Sequence, residues 1–273
     1  MIRRTSHAGS FYPRFKEQII AMINQWIAGE KVAPDSEKAL SLLVPHAGYI
    51  YSGACAAKGF HYISQQPFDS FVILHPSHQG IHFDYSVAPF EQYETPLGML
   101  NQDEELFDLL TRDNPDIANQ IRYHEMEHSM EVQLPFIKYF FPEAQICPVM
   151  IGRPYPQVAM ELAQRLKSAI NGTEKRVGII VSSDLSHYYP ATRAERMDSV
   201  FAEQFLTLDP EKLWHSIVSE SCEACGIGGI LTLLYYVKEI PEAKAKVIHY
   251  THSGKVTGDN TQVVGYLSAL VYR

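Results

Sequence analysis

The chain has 273 residues, 46% of them hydrophobic, enough to build a sizeable core in one large domain or two small ones. Its 23 basic and 31 acidic side chains give a formal charge of −8, and no stretch concentrates Lys or Arg, which argues against nucleic acid and anionic membrane surfaces as partners. No apolar run reaches the ~18 residues of a membrane span, and four cysteines make no disulfide framework in a chain this long, so reduced thiols and a cytoplasmic location are expected.

In chain order, the opening "MIRRTSHAGSFYP" has arginines but no apolar segment behind them, so it does not read as a secretory signal. Residues 15 to 28 set Phe15, Ile19, Ile20, Ile23, Trp26 and Ile27 at helical spacing, and Gly29 follows as a stop. Short apolar runs at 40–44, 70–74, 145–152 and 176–181 read as strands. Helical patterns at 53–65, 103–112, 129–141 and 156–170 separate them. "SCEACGIGGILTLLYYV" (221–237) carries a long apolar, helical run after Gly226. The final "TQVVGYLSALVYR" reads as a strand closing the sheet, with 245 to 252 as a candidate partner. No repeat, low-complexity segment or linker divides the chain, so one domain over 1–273 is expected. Alternating strand and helix predicts an α/β fold whose central sheet, largely parallel or mixed, is covered by helices on both faces.

Three of the predicted strands run into histidines. The first leads to Pro45-His46, the second to His75-Pro76-Ser77-His78, and the fourth to Asp184-Leu185-Ser186-His187. Ligand sites in open α/β sheets lie off the carboxyl ends of the strands, so one rim would receive all three. A single histidine after a strand is most often a packing residue, but three at equivalent positions point to a shared metal or catalytic site. His75 is the weaker of its pair, because it still belongs to the strand.

Cys225-Gly226 precedes the apolar helix, where dipole and free N–H groups stabilise a thiolate suited to ligating a metal or attacking a substrate. Cys222 completes a C-x-x-C, but with no second such pair a structural zinc site is not expected, and Cys55 and Cys147 read as core thiols. In "HEMEHSMEVQLPF", Glu127, His128 and Glu131 fall within one turn. The letters approach H-E-x-x-H, yet Ser129 looks like a helix start, so a polar turn lining the site is the expectation. "HAGSFY" at 7–12 echoes "HAGYIY" at 46–51 and places His7 in a similar glycine-supported turn.

Taken together, "SHAGSFYP", "VPHAGYIYSG", "HPSH", "TPLG", "EHSMEVQLPF", "SSDLSH", Cys225-Gly226 and "GDNTQVVGY" resemble the Memo family, the B component of the AmmeMemoRadiSam set. The matches run from residue 5 to beyond residue 260. That family is similar in fold to the LigB-type class III extradiol dioxygenases, which hold non-haem iron with two histidines and a glutamate. The resemblance implies His46 and His78 as metal ligands, with Cys225 in the place of the glutamate. It implies His187 as an acid/base with Asp184 as its orienting partner, while His7, His128 and Glu131, read from their turns, are expected beside the substrate or behind the ligand side chains. A thiolate in place of a carboxylate softens the site and suits iron, copper or zinc. The implied function is therefore one metal ion, iron first, and oxygen-dependent redox chemistry on an unknown small substrate. A non-catalytic metal- or partner-binding scaffold and a zinc-dependent hydrolase are the alternatives, animal relatives being described as signalling adaptors. AMMECR-like and radical-SAM components are the partners the resemblance suggests.

Overall fold

Successive side chains on a strand point to opposite faces, so a strand that is apolar at every position must be covered twice. The computed structural model, which describes residues 1–34, 36–80 and 82–273, obeys that requirement. Its strands are β1 (Ile2–Arg3), β2 (Ala39–Val44), β3 (Ser70–Pro76), β4 (Tyr85–Val87), β5 (Gln92–Thr95), β6 (Gly98–Asn101), β7 (Gln145–Ile151), β8 (Val177–Ser182), β9 (His187–Tyr189), β10 (Lys244–His252) and β11 (Val263–Tyr272). The larger sheet has the order β10-β11-β2-β8-β3-β7-β4, with β9 joined to β11, and β1-β5-β6 make a small second sheet. The centre β2-β8-β3-β7 is parallel, whereas β10, β11 and β4 run antiparallel at the edges, so the sheet is mixed. The expected pairing of the last strand with 245–252 is present, and a bulge interrupts it between Val247 and His249.

Helices α1 (Lys16–Ile27), α2 (Ala54–Ile63), α3 (Glu104–Thr111), α4 (Ile121–Met126), α5 (His128–Glu131), α6 (Leu134–Phe140), α7 (Pro156–Asn171), α8 (Ala191–Leu206), α9 (Pro210–Val218), α10 (Ile227–Val237) and α11 (Gly254–Thr257) complete the fold. Leu43, Val72, Leu74, Ile179 and Val181 pack with apolar residues of α3, α7, α8, α9 and α10. The alternate residues Leu42, Val44, Phe71, Ile73 and Ile180 pack instead with α1, α2 and α6. Each strand thus feeds two cores, one on each face. No helix among the described residues is long and apolar enough to cross a membrane.

Two stretches differ from the sequence reading. The pattern expected to run as one helix over 129–141 splits into α5 and α6, the second opening with Pro135 in its first turn. Residues 191–218, to which no element was assigned, hold α8 and α9.

Strand register positions the site. Val44 of β2 pairs with Ser182 of β8, and Leu74 of β3 with Val181. The chain therefore leaves these three strands almost level, and Pro45-His46, Ser77-His78 and Ser183-Asp184 emerge together at one rim.

Candidate metal centre

One ring nitrogen from each of His46, His78 and His128 lies within 4.8 Å of the other two. The rings are close: 5.2 Å between the centroids of His46 and His78, 5.5 Å for His46 and His128, and 4.4 Å for His78 and His128. His46 and His78 come from strand ends. His128 opens α5, whose N-cap Glu127 accepts the Ser129 N–H.

The hydrogen-bond partners decide which nitrogens are free. Ser182 Oγ has one proton and donates it to the Ser129 carbonyl at 2.7 Å. It must then accept from both Gln133 Nε2 and His46 Nδ1, each 2.9 Å away. With its proton on Nδ1, neutral His46 keeps a lone pair on Nε2. His78 follows the same logic: its Nδ1 lies 2.7 Å from Glu127 Oε1, and its backbone N–H donates to Glu127 Oε2. Burial opposes ionisation of Glu127, but the hydrogen bonds and charge of His78 outweigh it and hold the carboxyl well below the usual range. An ionised carboxylate behind Nδ1–H fixes the tautomer and makes Nε2 a better donor, the outer arrangement that metal-ligating histidines commonly have. Burial first, then the neighbouring His78, also depresses His46 far below its ordinary value and lowers His128 to about 4. His46 and His128 are thus neutral at pH 7, as ligands must be. A nitrogen-donor set of this kind fits zinc, copper or iron and does not suit the oxygen-seeking calcium or magnesium.

Cys225 adjoins the group through His46, with Sγ 3.1 Å from Nε2. Two crossed bonds tie its backbone to the end of β8: Cys225 N–H to the Asp184 carbonyl at 3.2 Å, and Gly226 N–H to Ser183 Oγ at 2.8 Å. The helix-terminus stabilisation expected from the sequence is not what governs the thiol. Burial, followed by the Asp184 carboxyl, pushes it up to about 12, outweighing the backbone N–H groups of Asp184 and Gly226 that favour the thiolate. Cys225 is therefore a neutral thiol in the protein without metal, its proton directed at His46 Nε2.

Asp184 is 5% exposed and accepts the His46 and Ala47 backbone N–H groups on Oδ1, at 2.8 and 3.3 Å. It orients the His46 turn, whereas the His187 ring is oriented by the Leu185 carbonyl, 2.7 Å from Nδ1. Burial lifts the Asp184 carboxyl to about 6 despite those N–H donors. His187 keeps its Nε2 for a cavity of about 540 Å³ that Asp184 and His128 also line. His7 stacks edge-on against His128, with centroids 5.8 Å apart, and its Nε2 lies 3.0 Å from the Met126 carbonyl. Glu131 turns away from the histidines: it accepts Arg3 Nη1 at 2.6 Å, the Ser6 and His7 N–H groups and the Tyr12 hydroxyl. The two echoing turns touch, Tyr49 N–H donating to the Phe11 carbonyl at 2.7 Å, and Gly9 takes the positive φ of 91° that its turn requires.

The sequence places His128 beside the substrate or behind the ligand side chains, and the structure brings it into the candidate donor group itself. Sequence reasoning did not identify Glu127 or Ser182 as partners of the ligand rings. The available signal was a carboxylate directly before a histidine in "EHSMEV".

The family model described as "Memo-like protein" matches residues 3–270. The "MEMO1 family protein" of Desulfurococcus amylolyticus is 37% identical, covering 97% of this chain and 97% of its own. Those of Archaeoglobus fulgidus and Thermotoga maritima are 34% and 33% identical, each over 100% of both chains. A solved but uncharacterized protein of Escherichia coli K12 is similar at a TM-score of 0.49 with 12% identity, covering 84% of this chain and 99% of that one.

Proposed function

This chain belongs to the Memo-like protein family, and we propose that it is a metal-dependent protein, iron first, that performs oxygen-dependent redox chemistry on a small substrate. One observation carries the reading. The Nδ1 atoms of His46 and His78 are both committed to acceptors, Ser182 and Glu127, which leaves their Nε2 lone pairs for a common ion beside His128. Iron or copper bound there would supply Lewis acidity and electrons for oxygen.

The chain's own residues supply the rest. Asp184 fixes the loop that carries His46, and Glu127 fixes the ring of His78. His187 donates Nδ1–H to Leu185, so its Nε2 takes a proton from, or returns one to, a substrate in the cavity. Cys225 is close enough to His46 to join as a soft donor once its proton leaves. Three imidazole nitrogens with open positions also match a hydrolytic zinc site, which keeps the zinc hydrolase as a second reading.

Oxygen consumption separates the two. Protein loaded with Fe(II), Cu or Zn is incubated with a panel of small phenolic, amine and thiol compounds, and dissolved oxygen and product masses are followed. Oxygen uptake matched by product with iron, and none with zinc, is the expected result. Turnover with zinc and no oxygen uptake would replace it with hydrolysis, and no turnover with any metal would leave a scaffold.

A further inference from the structure

The cavity beside the histidines has a charge pattern that metal chemistry alone does not require. Phe11, Tyr51, Tyr188 and Tyr266 line it with Asp184 and Asp259, and no Lys or Arg lines it among the described residues. A carboxylate or phosphate ligand would therefore meet two carboxylates and no Lys or Arg.

Tyr188 gives the cavity its rim. Its φ is 62°, a region that a tyrosine rarely adopts, and it is 70% exposed. Both neighbours are held: His187 pairs with Val264 and Tyr189 with Val263 of β11. The Tyr189 hydroxyl bonds Glu223, and the Arg193 guanidinium lies 4.2 Å over its ring. These anchors fix the backbone on each side of Tyr188 and keep its ring at the mouth of the cavity instead of in a core. Asp259, which also lines the cavity, uses Oδ1 for the Thr261 N–H and hydroxyl, at 2.8 and 2.6 Å, and its other oxygen has no hydrogen bond among the described residues.

The geometry points to an organic amine as the ligand class, its ammonium taken up by the aromatic rim and the Asp259 carboxylate. Aromatic faces attract cations through their quadrupole, and a nearby carboxylate adds charge to the same preference. The other end of such a ligand reaches toward His128 and the metal group, and only that direction rests on the metal reading.

Phenethylammonium and phenylacetate test the class, since they share a ring and differ in charge. Each is titrated calorimetrically into the full chain, first stripped of metal by a chelator and then reloaded with Fe(II), with metal content measured in the same samples. In the stripped protein phenethylammonium should bind about tenfold or more tighter than phenylacetate. Tyr188→Ala should weaken phenethylammonium several-fold, Tyr188→Phe should restore it, and Asp259→Asn should erode the charge preference. Tyr188 is exposed, so these variants leave the core intact. Equal affinity of the stripped protein for the two probes, tighter phenylacetate, or binding of neither overturns the inference. The metal content decides the metal reading separately.

Discussion

A hydroxyl group with a single proton settles the state of His46. Because Ser182 spends that proton on the Ser129 carbonyl, the imidazole has to present Nδ1–H to it and Nε2 to the cluster. His187 has the same internal bias, set by the Leu185 carbonyl, but it stands in the cavity outside the three-histidine group. His187→Gln should therefore leave metal content near that of the wild type while lowering oxygen-dependent turnover by about 10²–10⁴. If His187 only closes its own turn, the variant will instead melt lower and turn over normally per folded molecule. A second residue-scale expectation concerns His75, whose Nδ1 lies 3.1 Å from Ser129 Oγ and whose buried Nε2 has no hydrogen-bond partner among the described residues. Burial lowers this ring from 6.5 to about 4. Between those values the unfolded chain binds the extra proton, so the stability tied to a neutral His75 is complete above pH 6.5 and lost as pH falls toward 4. In urea unfolding of metal-free protein, the loss of stability between pH 7 and pH 4.5 should be smaller in His75→Phe by on the order of 2–3 kcal/mol. Parallel pH profiles for the two proteins would rule this out.

At the level of elements, the site is held by how closely α10 approaches the end of β8. A Cβ on Gly226 would lie 2.4 Å from the Ser182 carbonyl oxygen and 2.6 Å from Ser183 Cβ, and backbone cannot yield as a flexible side chain would. Gly226→Ala should cost about 1–3 kcal/mol and draw Cys225 away from His46, which labelling of the thiol by iodoacetamide would register as faster modification. Wild-type stability and labelling would mean that this approach has slack. The parallel centre of the sheet was legible in the sequence because β2, β3, β7 and β8 are apolar at nearly every position and are separated by periodic helices. The strand-end histidines could be read for the same reason: a parallel sheet delivers equivalent ends to one rim. Helices α8 and α9 left a weaker trace, although Ala194, Met197, Phe201 and Phe205 do lie at helical spacing. The small sheet left almost none, since β1 is two residues long and pairs with β5 about ninety positions away. Distant pairing also hid Ser182 as the partner of His46, because 136 residues separate them.

Across the whole molecule, the N-terminal segment clamps the loop that presents His128. Arg3 is 1% exposed and donates to the carbonyls of His124, Glu125 and Glu127 as well as to the fully buried Glu131. Glu131 in turn gathers the backbone of Ser6 and His7 and the Tyr12 hydroxyl. Arg3→Met would leave a buried carboxylate without its cation, a loss of about 3–5 kcal/mol that should lower the melting temperature by on the order of 10 °C. A change of only a degree or two would show that the N–H donors alone sustain Glu131.

The claim on which the functional account stands is that His46, His78 and His128 share one metal ion. The most direct measurement is elemental analysis of untagged protein, purified without chelator, beside His78→Gln prepared in parallel. Wild type should contain about one transition-metal ion per chain and the variant close to none, since removal of a ligand abolishes a site of this size. Equal metal in both proteins, or none in wild type even after incubation with Fe(II), Cu and Zn, would contradict it.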